Sequence, residues 1–250
     1  MKILNFRELS NKTNIHGQKL RSNTIFRSSN PLTEYKGDLD EIKEKQINYI
    51  YDFRSNMEIE KDGQQKVANA ETIHVNILPA AGMSNDDMEI YLQNADKFMN
   101  MMYRDMLSVS KEYSSFFRNI LDQETPAFLF HCTAGKDRTG IAAVILMHIL
   151  EFDSEDIIEE YLKIDPELID FLSIKFMPDS SVISASVPEL ELSEIKDNMF
   201  GFITVKREYL SSYYEGIEER YGDMDTYIKN FLKISSDDIK TLRRRYLEKI

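Results

Sequence analysis

Cys132, the only cysteine of the chain, stands in the run His131-Cys132-Thr133-Ala134-Gly135-Lys136-Asp137-Arg138-Thr139-Gly140. A lone cysteine is by default a small buried hydrophobe, but its neighbours here point to a nucleophile. The five residues between Cys132 and Arg138 supply backbone N–H groups that can curl around three oxygens of a phosphate dianion. Gly135 permits a backbone course that a side chain would obstruct. Arg138 adds a planar fork for two oxygens. A sulfur beside an arginine, a ring of N–H donors and a helix N-terminus is favoured as the thiolate, the attacking form. Thr133, Ala134, Gly135 and Lys136 are therefore expected to bind substrate, and Thr139 to offer its hydroxyl to the sulfur and help it leave. His131 is expected to hold the loop through backbone hydrogen bonds rather than to carry protons. The chemistry implied is attack on a phosphate monoester.

Cys-x5-Arg alone is a weak signal. With His131 before it, Gly135 at the third place and Thr139 after the arginine, a chance match falls to the order of one in ten thousand or rarer per cysteine. A nucleotide P-loop is excluded, because Gly135-Lys136 lacks a glycine five places upstream and is followed by Asp137 rather than Ser or Thr. Expelling an alkoxide or phenoxide calls for a general acid. Asp137, inside the loop on the leaving-group side, is the first candidate. Asp52, at the end of a strand directed at the same crevice, is the second. Arg54, a candidate substrate contact, is also placed to fix Asp52 or the N-terminal segment. Asp86, Asp87 and Asp105 are weaker candidates. His16, His74, His131 and His148 lack metal-ligand spacing, so no metal and no other cofactor is expected.

The surrounding elements must place that loop. Thr24–Ser28, Ile47–Phe53, Glu71–Ile77 and the apolar run 127–130 read as strands, rich in β-branched and aromatic residues. Tyr35–Gln46, Asp86–Leu107 and Lys111–Leu121 read as helices. Arg138–Leu150 is apolar nearly all round, which predicts a buried helix. Ser154-Glu155-Asp156, Asp165-Pro166 and Ser235-Ser236-Asp237-Asp238 open further helices. The last ends in Arg243-Arg244-Arg245, positive charge that answers the macrodipole. Strands alternating with helices predict an α/β fold with a central, mostly parallel sheet flanked by helices. The loop then lies at the carboxyl end of a strand and the start of a helix, where such sheets bind ligands. Residues 178–222 exceed what the sheet needs, and their Met, Phe and Tyr residues suit ordinary core or a helical lid. With no repeat, low-complexity tract or Gly/Ser linker, 1–250 reads as a single domain.

The chain has 250 residues, 42% hydrophobic and 11% aromatic, enough for a sizeable core. Its longest apolar run, Ile141 to Leu150, is interrupted by His148 and falls short of the roughly 18 residues of a membrane span. The opening Met-Lys-Ile-Leu-Asn-Phe-Arg-Glu has no apolar signal region. A cytoplasmic location is the default expectation, with export lacking such a signal left open. The net charge of -12 argues against nucleic acid and against bulk attraction to anionic lipid. The expected partner is a phosphorylated protein or phosphoinositide, met by a locally positive pocket. Nothing in the sequence sets an oligomeric state.

His-Cys-x-Ala-Gly-Lys-Asp-Arg-Thr-Gly resembles the loop of bacterial tyrosine/phosphoinositide phosphatases, of the kind that some intracellular pathogens export. The similarity covers most of the chain. Asn5-Phe6-Arg7-Glu8-Leu9 is similar to that family's Asn-Phe-Arg-Asp-Leu, and Phe26-Arg27-Ser28-Ser29 to its first strand. Asp52-Phe53-Arg54-Ser55 with Glu58 is similar to its Asp-Leu-Arg-Ser-x-x-Glu, and Tyr221-Gly222 plus the final helix to its tail. Ser10-Asn11 departs from a usual Gly-Gly, and Ile164-Asp165 from a Ser/Thr-Asn. The resemblance implies the cysteine-phosphatase fold and a dual-specificity enzyme working through phosphocysteine on phosphotyrosine and often on phosphoinositides. It gives Lys136 the additional phosphates of an inositol headgroup. Many tyrosine phosphatases carry their acid on a Trp-Pro-Asp loop, and this chain has no tryptophan. An inositol-polyphosphate phosphatase would need the same basic pocket. A catalytically silent phospho-binding module would lose the cysteine or the acid, whereas Cys132 and Asp137 are both present. A rhodanese-like sulfur carrier has no need of Gly135 or of the Asp137-Arg138 pair.

Overall fold

The computed structural model describes residues 3–31, 39–64, 67, 69–78, 94–176 and 200–249. Strands β1 (Arg7–Glu8), β2 (Gln18–Leu20) and β3 (Ile25–Ser28) precede helix α1 (Leu39–Glu44). Then come β4 (Tyr49–Asp52), α2 (Asn56–Asp62), β5 (Glu71–His74), α3 (Ala95–Asp105) and α4 (Ser110–Asp122). β6 (Phe128–His131) leads into α5 (Asp137–Ile149) and α6 (Ser154–Leu162). α7 (Pro166–Phe176), α8 (Arg207–Tyr221), α9 (Ser236–Tyr246) and β7 (Leu247–Lys249) complete the order.

The main sheet runs β1-β3-β6-β4-β5, and only the β1–β3 pair is antiparallel. The expected mostly parallel sheet is therefore the one that forms. β6 lies at its centre with every residue buried, which is why Phe-Leu-Phe-His shows no alternation. Its last residue, His131, pairs with Ser28 of β3 and Asp52 of β4. Three carboxyl ends thus coincide where the loop leaves the sheet.

Helix α5 is buried except at Asp137, Arg138 and His148. On α4, Tyr113, Phe116, Phe117 and Ile120 are buried, and Phe116 meets Tyr51 and Phe53 edge-on at 5.0 and 4.9 Å. The first turn of α6 is capped by Asp153, one residue before the expected Ser154, its side chain accepting from Glu155 N at 2.9 Å. The 178–222 region divides: Tyr209, Leu210, Tyr213 and Ile217 of α8 are ordinary core, while 178–199 lies outside the described residues. So do 35–38 and 86–93, and with them Asp86 and Asp87.

Two arginines of the α9 triplet serve neighbouring helices. Arg243 Nε donates to the Ile149 carbonyl at 2.7 Å, at the end of α5. Arg245 donates to the Ile120 and Leu121 carbonyls at 2.6 and 3.2 Å, at the end of α4. β7, which has no sequence signal, then pairs antiparallel with β2 and ties the chain's end to its beginning. Among the described residues no helix is long and apolar enough to cross a membrane.

Candidate active site

The loop Cys132–Lys136 turns its carbonyls outward onto waiting donors. The Cys132 carbonyl lies 3.2 Å from His131 Nδ1. The Thr133 carbonyl accepts from Asn30 N at 3.0 Å. The Gly135 carbonyl accepts from Arg27 Nη2 at 2.9 Å and Asn5 Nδ2 at 3.1 Å. A trans peptide sets its N–H opposite its C=O, so the amides of Thr133, Ala134 and Lys136 point to the loop's inner side. Cys132 Sγ sits there, 2% exposed, accepting from Gly135 N at 3.2 Å. Gly135 has φ +68°, and a Cβ on it would lie 2.1 Å from the Ser28 carbonyl oxygen. Only glycine meets both demands.

Arg27 is buried behind the loop beside Glu160, which also takes Arg7 Nε at 2.9 Å. Burial first, and then the neighbouring Arg7, lower its pKa to about 9. His131 is buried, and burial holds its imidazole below the ordinary value. With Nδ1 on its own loop carbonyl and Nε2 3.9 Å from Asp52 Oδ1, it sits among support groups.

Arg138 faces Glu58. Nη1 donates to Oε2 at 2.8 Å and Nη2 to Oε1 at 2.7 Å, with Glu58 at the third position of α2. Thr133 Oγ1 donates to the same carboxylate, and Ser55 N donates to Oε2 at 2.7 Å. Burial alone would raise the Glu58 pKa, but these bonds, led by those from Arg138, hold it well below the usual carboxylate range. Burial likewise opposes the Arg138 charge, and Glu58 outweighs it upward.

Asp137 opens α5 and keeps part of its surface, 18% of the side chain. Tyr103 Oη donates to its Oδ1 at 2.8 Å, and Tyr161 Oη donates to Tyr103 at 2.9 Å. Burial, then the Asp137 charge, push the Tyr103 pKa far upward, so the phenol remains a donor. Lys136 Nζ reaches both Asp137 oxygens, at 2.9 and 2.8 Å.

These contacts bear on four of the expectations. Lys136 is buried at 4% exposure, its ammonium on Asp137, on the Thr204 carbonyl at 3.3 Å and over the Phe202 ring, so it is not open to a headgroup in this arrangement. Thr139 Oγ1 is buried without a hydrogen-bond partner among the described residues and does not reach the sulfur. Asp52 is wholly buried and bound by Arg54, with Nη2 at 2.7 Å and Nε at 3.0 Å from its oxygens. Burial raises its pKa, but His131 and Arg54 together bring it down to about 2, which suits a fixed anion and not an acid. Arg54 is spent on Asp52 and the Gly63 carbonyl, with 1% of its side chain exposed, so it has no face for substrate. Of its alternatives, fixing Asp52 is the one observed. Among the described residues no three metal-ligating side chains converge.

The site also uses residues that were not read as functional. Asn5, Arg27 and Glu58 lie in the very segments that resemble family motifs, so a signal existed. Tyr103 had none, because it looks like ordinary helical core.

The sequence model of the tyrosine phosphatase family matches residues 1–248. A protein of Cupriavidus necator named as a tyrosine-protein phosphatase is 27% identical over 255 residues, 98% of this chain and 86% of that one. The triple specificity protein phosphatase PtpB of Mycobacterium tuberculosis is 23% identical over 259 residues, 90% of each chain. Among solved structures, P. aeruginosa TpbA is 16% identical with a TM-score of 0.31, covering 73% of this chain and 90% of that one, a likeness too slight to bear on function.

Proposed function

The chain belongs to the tyrosine phosphatase family, and on that premise we propose that it hydrolyses phosphotyrosine through a phosphocysteine intermediate, as a single domain over 1–250. The observation that carries this reading is one sulfur faced by loop amides whose carbonyls are all turned away. The inward amides of Thr133, Ala134, Gly135 and Lys136 hold the phosphoryl oxygens, and Arg138 holds two of them. Cys132 Sγ attacks phosphorus, an S–P bond forms, and the P–O bond to the leaving group breaks. Asp137 gives that oxygen its proton. In the second step Asp137 takes a proton from water, the water oxygen bonds to phosphorus, and the S–P bond breaks to return the thiolate and free phosphate.

Phosphoinositides are the second substrate class we propose. The reading is supported by the triple-specificity name of PtpB and by an ammonium, that of Lys136, inside the loop. To meet a second phosphate, Lys136 has to turn its ammonium from the Asp137 carboxylate and the Thr204 carbonyl that now hold it.

The deciding experiment is turnover of p-nitrophenyl phosphate in the presence of a chelator, by wild type and by Cys132→Ser. Wild type should turn over and Cys132→Ser should not, while rapid denaturing quench of wild type should reveal a phosphorylated Cys132. Undiminished activity in Cys132→Ser would overturn the mechanism. A panel of phosphotyrosine peptide, phosphoserine peptide and phosphoinositides, ranked by kcat/KM, tests the substrate classes.

A further inference from the structure

Building on that reading of the loop, we propose that Arg27 is a second cation of the anion site. It is a positioning residue whose buried charge, on the outer side of the loop, holds the thiolate and then the phosphate on the inner side. Arg27 stands on β3, in register with Phe130 of β6, with 1% of its side chain exposed. Nη2 donates to the Gly135 carbonyl at 2.9 Å. That carbonyl and the N–H of Lys136 belong to one trans peptide, so the N–H points the opposite way, into the cradle. A charged donor on the carbonyl polarises the peptide and strengthens its other end as a donor. Arg138 meets the anion from inside the cradle, and Arg27 acts through its wall.

The charge of Arg27 is only partly answered by its protein neighbours. Among the described residues its ion-pair partner is Glu160, 3.6 Å from Nη1. Glu160 is already held by Arg7 Nε at 2.9 Å and Lys163 Nζ at 3.0 Å, so three cations share one buried carboxylate. Arg27 Nε and Nη1 are buried without a hydrogen-bond partner among the described residues. Such a cation is costly to keep, and a fold that needed only a donor on the Gly135 carbonyl has one in Asn5 Nδ2 at 3.1 Å. Burial and then Arg7 oppose the charge, while Glu160 and then Cys132 favour it. The remaining counter-charge is the anion in the cradle.

The test alkylates Cys132 at pH 6 in wild type, Arg27→Met, Arg27→Lys, Asn5→Ala and Glu160→Gln, with Tm recorded for each. The readout is the ratio of the inactivation rate by iodoacetate, an anion, to that by neutral iodoacetamide. Both reagents meet the same thiolate, so a loosened loop slows both and keeps the ratio, whereas a lost charge lowers it. Arg27→Met should lower the ratio by about 10-fold, the scale of one charge acting across roughly 10 Å of protein. It should also raise the tungstate concentration that half-protects Cys132. Arg27→Lys loses the planar fork but keeps a charge at this pH, and its ratio should stay near wild type. Asn5→Ala removes a neutral donor from the same carbonyl and should leave the ratio unchanged. Glu160→Gln leaves Arg27 in place and removes its partner carboxylate, so the ratio should rise; this arm decides the matter if Arg27→Met does not fold. An unchanged ratio in Arg27→Met, or an equal fall in Arg27→Lys or Asn5→Ala, would reduce Arg27 to a brace for the loop. An unchanged or lower ratio in Glu160→Gln would do the same. None of these rates needs turnover, so wild type lacking Cys132-dependent turnover would remove the phosphatase reading and leave the role of Arg27 to be judged on the ratio alone.

Discussion

Tyr103 and Asp137 are joined by a 2.8 Å hydrogen bond from phenol to carboxylate, which sets the first residue of α5 against the last turn of α3. Lys136 shares the carboxylate from the other side at 2.8 Å. The only aspartate of the loop is thus aimed by two donors while 18% of its side chain stays open.

If Asp137 is the acid, its loss should depend on the leaving group. Asp137→Asn should slow an aryl phosphate with an acidic phenol only modestly, a phosphotyrosine peptide more, and an inositol or serine ester most. The worst case should reach about 10²–10⁴-fold, the usual contribution of a general acid. The basic limb of the kcat profile should flatten in the same variant. Tyr103→Phe should show the same ordering with smaller losses, because the carboxyl remains but is less well aimed. Equal losses across the series, with the limb retained, would mark Asp137 as a loop-shaping residue.

Lys136→Ala should lower kcat/KM on a phosphotyrosine peptide, because Asp137 loses the ammonium that touches both its oxygens. The loss on multiply phosphorylated inositides should be larger, since a second phosphate gains from a second fixed charge. Equal losses would confine Lys136 to the service of Asp137.

Asp52→Asn should be a stability variant. Both partners of the Asp52–Arg54 pair are essentially without exposed surface. Leaving the arginine uncompensated should cost on the order of 3–5 kcal/mol, read by urea unfolding. Any change in kcat should be the same for every leaving group. A loss that grew with leaving-group basicity would move the acid to Asp52.

His148 gives the fold a pH dependence of definite sign. Burial lowers its pKa from 6.5 to about 4, and Nε2 lies 2.9 Å from Tyr214 Oη. The unfolded chain therefore binds this proton first as pH falls. The stability that neutral His148 contributes is complete above pH 6.5 and is lost as pH drops from 6.5 towards 4. Unfolding at pH 7 and pH 5 should show wild type losing more stability than His148→Gln over that interval. Identical losses in the two proteins would clear His148 of the effect.

Much of the fold was legible because its signals are local. Phe128–His131, buried throughout, could only be an interior strand, and the apolar run from Ile141 could only be a buried helix. Ser235-Ser236-Asp237-Asp238 announced the start of α9, where Ser235 and Asp238 form a capping box. β7 was not legible, because a short edge strand of Leu-Glu-Lys exists only through its pairing with Gln18–Leu20. The arginine triplet was read as serving its own helix, since a sequence does not say which foreign carbonyls will lie beside it.

The sequence by itself determined the nucleophile, the phosphate loop and the need for glycine at 135, because seven consecutive residues hold all that chemistry within one turn of chain. Only the tertiary structure decided what the flanking charges do. Asp52 and Asp137 are both acidic residues near the same strand ends, yet Arg54 locks one in the interior while Tyr103 and Lys136 aim the other beside the loop. Glu58, Arg27 and Asn5 reach the loop from segments far away in the chain. The reason is physical: a bond between distant residues depends on where the sheet and helices bring their side chains, and local residue types carry no record of that meeting.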